Sequence, residues 1–328
     1  MKLATMNDGT RDGRLLLVDP ILSRATDASD IARCMQAAID DWHALSPRLA
    51  RRHDALIAGR AKSFELDYAR LMAPLPRAYG WMDSSVYLHH MELARRLRGV
   101  EMPVGYESEP RFYDGVSHTF RASGSPLPLP VGDVGLDFEA EIAVVLDDVP
   151  MQASAEQAAD AILLLALIND TTLRTVFAEQ MGRGYTNFHG KPPCSMAPFL
   201  VTPDELGDDW DGKKLKAELR CRVNGKLIGQ LNSSDDMQFD FHELVMQAAR
   251  YRPLGAGTVL GAGTVSNRRE DAGAACLAEV RMLEQLRHGE ARTAYLRNND
   301  ELLLEAFNSH RQSIFGPLHH RVQFVQNC

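Results

Sequence analysis

No apolar run in the sequence is long enough to span a bilayer. The first residues, Met1 to Gly9, lack the apolar core of a signal peptide and run into a turn. Positive charge is also short. The formal net charge of −8 over 328 residues argues against a nucleic-acid partner and against an anionic membrane surface. An anionic small substrate stays open, because local charge decides that. Cysteine is sparse: Cys34, Cys194, Cys221, Cys276 and Cys328 are odd in number, scattered, and contain no Cys-x-x-Cys pair. That excludes a disulfide framework and a zinc motif of the usual spacing, and points to reduced thiols in a cytoplasm. Ser195 lacks the Gly-x-Ser-x-Gly elbow of a serine hydrolase, and Cys194 lacks any signature of a cysteine nucleophile. The glycines of Gly255 to Thr258 and Gly261 to Thr264 have no P-loop Lys-Ser/Thr after them. The second block reads instead as a close backbone approach to a ligand.

What is there is a chain long enough for one large core and a smaller second unit. Lys2 to Met6, an Asn-Asp-Gly turn and Arg14 to Val18 read as a hairpin. Helical spacing of Ile31, Met35, Ala38, Ile39 and Trp42 follows from about Ser29, and Ser46-Pro47 reads as the start of a second helix reaching Gly59. Met72-Ala73-Pro74-Leu75-Pro76 has the composition of a linker. We therefore divide the chain into a small N-terminal α+β unit, residues 1–76, and a larger unit, 77–328. The larger unit is mostly β. A helical stretch from Met91 to Leu97, a capping box at Ser154-x-x-Gln157 and an amphipathic helix from Phe241 are its helices. Val223-Asn224-Gly225-Lys226 predicts a hairpin with a type I′ turn. The last seventy residues read as short strands. Many short strands with few helices predict an α+β fold built on a mixed β-roll or barrel.

The chemistry centres on Gly135 to Leu146, read as one strand carrying Glu139 and Glu141. Side chains alternate, so the two carboxylates share a face about 7 Å apart at the backbone. Brought together in a dry site, they repel by about 4 kcal/mol. A hard divalent cation with oxygen ligands is the natural counter-charge. Asp170 ends the apolar strand Leu163 to Ile168 and supplies a third carboxylate, and Asp83 a fourth. His89 and His90 are adjacent, so both cannot face one point of a helix. A histidine beside carboxylates can serve as a general base.

These motifs occur in one order: Asp83 and His90, Glu139-Ala140-Glu141, Asn169-Asp170, Gly190-Lys191-Pro192, Asn232 to Phe239, and Gly261-Ala262-Gly263-Thr264. In that order they resemble the fumarylacetoacetate hydrolase (fumarylacetoacetase) family from about Ala78 onward, with a small N-terminal domain similar to that of bacterial members. The resemblance implies a β-roll catalytic domain in a homodimer, and Mg²⁺ or Ca²⁺, with Mn²⁺ as an alternative, held by Asp83, Glu139, Glu141 and Asp170. It implies His90 as the water-activating base, oriented by Glu279 or by its rival Glu92. Lys191 matches a substrate-contacting position with a catalytic role, stabilising the oxyanion and the departing carbanion, and Tyr113 and Thr264 match substrate-binding positions. An arginine after the histidine is expected to bind substrate, where Arg95, Arg96 and Arg98 compete and Arg98 is preferred. Phe177 stands near the place of the family's usual glutamine. The implied reaction is hydrolysis of a carbon–carbon bond in a 1,3-diketo acid such as fumarylacetoacetate, as in aromatic amino-acid breakdown. The same scaffold also serves decarboxylation, hydration and keto–enol isomerisation of α-keto acids, and a non-catalytic metal-binding homologue is the remaining alternative.

Overall fold

An antiparallel hairpin, Lys2–Met6 with Arg14–Val18, opens the chain in a computed structural model that describes residues 1–325. Cys328 lies outside the described residues. Lys2–Met6 pairs on its other side with Leu200–Val201. The strands of the first 76 residues are thus continuous with the main sheet. Arg24–Asp27 extends the hairpin, which moves the first helix from Ser29 to Met35–Asp40. The second helix is Trp42–Ile57, with Pro47 inside it and not at its start. Proline removes one backbone donor there. Burial of Leu49, His53 and Leu56 along the same helix holds it together regardless.

Two sheets form the roll. In the larger, Leu200–Val201, Ile162–Asn169, Ala140–Leu146, Thr258–Gly261, Gly80–Ser84 and Phe112–Asp114 lie side by side, with Thr258–Gly261 and Gly80–Ser84 parallel. The smaller has the order Lys226–Asn232, Glu218–Val223, Glu301–Phe307, Leu318–Phe324, Leu127–Leu129. Between them lies a core that includes Phe138, Ile142, Val144, Leu219 and Leu304. Ile162–Asn169 is buried on both faces: Leu165 and Leu167 enter this core, while Leu164, Ala166 and Ile168 enter a second one shared with the N-terminal helices. That explains its unbroken apolar run. The hairpin at Asn224-Gly225 forms as expected, with φ of 51° and 75°.

Three expectations need correction. Gly135 to Leu146 is not one strand: Leu136–Asp137 pairs with Thr172–Leu173, Ala140–Leu146 joins the large sheet, and Phe138 and Glu139 lie between. The break has a local cause. Asp137 takes the Phe138 N–H on its own carboxylate, and the Glu139 N–H is given to the Asn169 side chain. The last part of the chain is not all strands, for Leu277–His288 is a helix. Its start is stabilised from far away, with Leu277 and Ala278 N–H both donated to Asp137. Arg174–Gly182 is a further helix, and none of its residues is buried, so it left no apolar periodicity to read.

Candidate metal and base site

The register of the large sheet brings the acids together. Ala140 faces Asn169 and Ala143 faces Gly261, while Asp83 faces Tyr113. Asp83 and Glu141 thus stand on either side of the Thr258–Gly261 strand and must meet across it. Gly261 makes that possible: a Cβ there would lie 2.6 Å from Asp83 Oδ1. Gly263, at φ +87°, passes so close to the Ser84 carbonyl that a Cβ would lie 2.4 Å from it. The close approach expected for this glycine block is therefore to the Asp83 strand, a correction of the ligand-facing reading.

Asp83, Glu141 and Asp170 each offer an oxygen within 4.8 Å of the others, and all three are buried. Asp83 Oδ1 and Glu141 Oε2 are buried with no hydrogen-bond partner among the described residues. Burial, and then the charge of Asp170, pushes Asp83 up to about 7. Burial followed by the Asp83 and Asp170 charges raises Glu141 well above the carboxylate range. Such a set is short of positive charge. A divalent cation with oxygen ligands supplies it and occupies the orphaned oxygens, so the residues fit the ion expected of them.

Glu139 is not in this triplet. Its Oε2 accepts from Lys191 Nζ at 2.6 Å and its Oε1 pairs with Arg174 Nη2 at 2.6 Å. Against the opposing effect of burial, the positive charges of Arg174 and Lys191, with a smaller contribution from His90, hold it below the usual range. Lys191 also reaches Asp170 Oδ2 at 2.5 Å and Thr172 Oγ1 at 2.8 Å. It is 8% exposed, far from the solvated lysine that a Gly-Pro loop suggests. Burial opposes its charge, but Asp170 and Glu139 raise its pKa nonetheless. The loop is fixed by Gln180, whose Oε1 accepts the His189 and Gly190 N–H groups, and by Gly190, where a Cβ would lie 2.8 Å from Phe177. Tyr113 donates to Asp170 Oδ2, and Cys194 Sγ lies 3.0 Å from Asp170 Oδ1. Thr264 Oγ1 is 3.5 Å from Glu141 Oε1, at the outer limit of a hydrogen bond.

The helix Leu88–Arg98 carries His90 and packs on Leu277–His288. His90 Nδ1 lies 2.6 Å from Glu279 Oε2, and Ser266 Oγ donates to Glu279 Oε1 at 2.9 Å. Glu279 is fully buried. Glu92, the rival partner, is held by both Nη atoms of Arg268 at 2.6 and 2.7 Å. Arg98 is exposed at the end of its helix, about 12 Å along the axis from His90. The structure does not bring it to the site, which corrects the expectation for that arginine. Arg174, with its side chain 16% exposed, is the arginine that meets the carboxylates, pairing with Asp137 and Glu139. Sequence reasoning missed it, although its position four residues after Asp170 was a usable signal.

The sequence profile described as the fumarylacetoacetate (FAA) hydrolase C-terminal domain matches residues 81–323, and that of fumarylacetoacetase N-terminal domain 2 matches residues 1–77. The chain is 25% identical over 171 residues to the mitochondrial oxaloacetate tautomerase fahd2 of Xenopus laevis, covering 50% of each chain. It is 25% identical over 170 residues to the 2,4-didehydro-3-deoxy-L-rhamnonate hydrolase of a Sphingomonas species, covering 50% of this chain and 56% of that one. The chain thus spans about half the length of the curated relatives it matches. Its fold matches maleylpyruvate hydrolase of Sphingobium sp. SYK-6, solved with manganese(II) and pyruvate, at a TM-score of 0.66 and 17% identity, over 99% of this chain and 100% of that one.

Proposed function

The chain belongs to the fumarylacetoacetate hydrolase family, and from that membership we propose that it hydrolyses a carbon–carbon bond in a 1,3-diketo acid, fumarylacetoacetate or a smaller acylpyruvate. The observation that carries this reading is the 2.6 Å contact of His90 with the buried carboxylate of Glu279. With Nδ1–H donated to Glu279, the other ring nitrogen is an acceptor, ready to take a proton from water. The hydroxide so formed adds to the substrate carbonyl. The carbon–carbon bond then breaks, and its electron pair leaves on an enolate carbon that is finally protonated. Lys191, fixed by Glu139, Asp170 and Thr172, provides positive charge where the oxyanion and enolate develop. Arg174 reinforces it through Glu139. Asp83, Glu141 and Asp170, with Glu139 beside them, would hold a divalent cation, which when bound supplies Lewis acidity toward the keto-acid oxygens. Tyr113 and Thr264 border the same carboxylates and are assigned to substrate contact.

The same proposal treats residues 1–76 and 77–328 as separate units, a reading supported by profiles that match 1–77 and 81–323, and the protein as a cytoplasmic homodimer. No helix among the described residues is long and apolar enough to cross a membrane. A second reading, tautomerisation of an oxaloacetate-like keto acid, is favoured by the likeness to the Xenopus tautomerase. It needs proton transfer but no water. A panel of fumarylacetoacetate, acylpyruvates and oxaloacetate, followed by ultraviolet absorbance with Mg²⁺ or Mn²⁺, separates the two. Cleavage products from a diketo acid support hydrolysis. Enol–keto interconversion of oxaloacetate without cleavage of any diketo acid replaces it with the second reading.

A further inference from the structure

The fold assembles a second cluster of metal-ligating side chains that no spacing in the chain announces. His90, Cys276 and Glu279 each bring one donor atom within 4.8 Å of the other two. The donors are an imidazole nitrogen, a thiol sulfur and a carboxylate oxygen. Softness separates this set from the all-oxygen set of Asp83, Glu141 and Asp170. Cys276 caps the Leu277–His288 helix, with Sγ accepting the Glu279 N–H at 3.3 Å. Burial, and after it the charge of Asp137, keeps the free thiol protonated, so the thiolate forms only as a cation takes the place of its proton. Cys276 and Glu279 are buried, while His90 keeps a quarter of its side chain in solvent and so opens a way in. Tetrahedral zinc places its nitrogen, oxygen and sulfur ligands about 3.3–3.6 Å from one another. The His90–Glu279 pair must widen from 2.6 Å, and the sulfur, within 4.8 Å of both partners, must close by at most about 1.5 Å, within reach of side-chain rotation.

We propose that His90, Cys276 and Glu279 form a second binding site, selective for a thiophilic divalent cation such as Zn²⁺, with water as the fourth ligand. Binding displaces the thiol proton and the proton shared by His90 and Glu279. The consequence for catalysis rests on His90 being the base: a cation between His90 and Glu279 takes the imidazole out of use, while the carboxylate site keeps its own hard cation. One protein would thus be supported by Mg²⁺ and shut off by Zn²⁺.

Co²⁺ tests the site without reference to activity, because a cobalt–thiolate bond absorbs in the near ultraviolet. Titration of the wild-type protein, with Mg²⁺ present to fill the carboxylates, is expected to give that band. Cys276→Ser, which keeps a helix-capping oxygen, should lose it, and Cys194→Ala, beside Asp170, should keep it. No band, or a band that follows Cys194, overturns the proposal. Zn²⁺ is then titrated against turnover at saturating Mg²⁺, each variant compared with its own zinc-free rate. Half-inhibition in Cys276→Ser should need about tenfold more Zn²⁺ or beyond. Inhibition that excess Mg²⁺ reverses equally in both proteins overturns the inhibitory role. A Cys276-dependent cobalt band with no effect of Zn²⁺ on turnover leaves the site standing and rejects His90 as the base.

Discussion

Glu279 holds His90 by one carboxylate oxygen, 2.6 Å from Nδ1, and is itself held by Ser266 on the other. A buried carboxylate with both oxygens engaged fixes the imidazole's tautomer as well as its direction. Removing the imbedded charge should therefore act through His90 alone. Glu279→Gln is expected to lower kcat by about a hundredfold or more, with Mn²⁺ affinity retained. Glu92→Gln, which weakens the contacts with Arg268 and His89 but touches neither His90 nor Glu279, should stay near wild type. Equal losses in the two variants would reassign the orienting role.

His90→Ala should lower turnover by about 10²–10⁴-fold and leave divalent affinity, measured calorimetrically with Mn²⁺, unchanged. Turnover near wild type would remove His90 as the base.

Lys191→Met takes from Asp170 its paired cation and leaves Glu139 with Arg174 alone. Breaking such a buried pair costs about 3–5 kcal/mol, so the metal-free variant should melt well below the metal-free wild type. Mn²⁺ should recover more Tm in the variant than in the wild type. Activity should not return with it, because the charge opposite the developing oxyanion is gone.

Gly261→Ala places a methyl where Asp83 Oδ1 and Trp81 now stand, each 2.6 Å from the added carbon. Asp83 is displaced from Glu141. Mn²⁺ affinity is expected to fall by about 10–100-fold, measured by titration on protein shown by circular dichroism to be folded.

A pH-dependent contribution to stability comes from outside the site. His320 is fully buried, its Nδ1 2.7 Å from the Ser125 carbonyl and its Nε2 without a partner among the described residues. Burial lowers its pKa to about 4 from 6.5. The unfolded chain therefore binds the extra proton first as pH falls below 6.5. The stabilisation is full above 6.5 and lost between 6.5 and 4, a difference of about 3 kcal/mol. Urea unfolding at pH 7 and pH 4.5 should show a smaller drop for His320→Asn, which retains a donor toward Ser125. Identical drops would place the acid sensitivity elsewhere.

The sequence by itself determined the family, the β-rich class, the hairpin at Asn224-Gly225 and the identity of the acidic residues, because these rest on local pattern and on residue type. Period-two alternation even put Glu139 and Glu141 side by side. It could not divide their work, for that depends on Arg174 and Lys191 occupying Glu139 while Glu141 keeps an orphaned oxygen. The helix at Leu277 stayed hidden because its N-terminus is satisfied by Asp137, 140 residues earlier. The choice of Glu279 over Glu92 was likewise beyond the sequence, since both carboxylates have suitable chemistry. The packing of two helices and the Arg268 clamp on Glu92 decided it. Tertiary structure also joined Cys276 to His90, two residues with no relation along the chain. Local chemistry names the donors, but only the closure of the roll sets which of them share a charge.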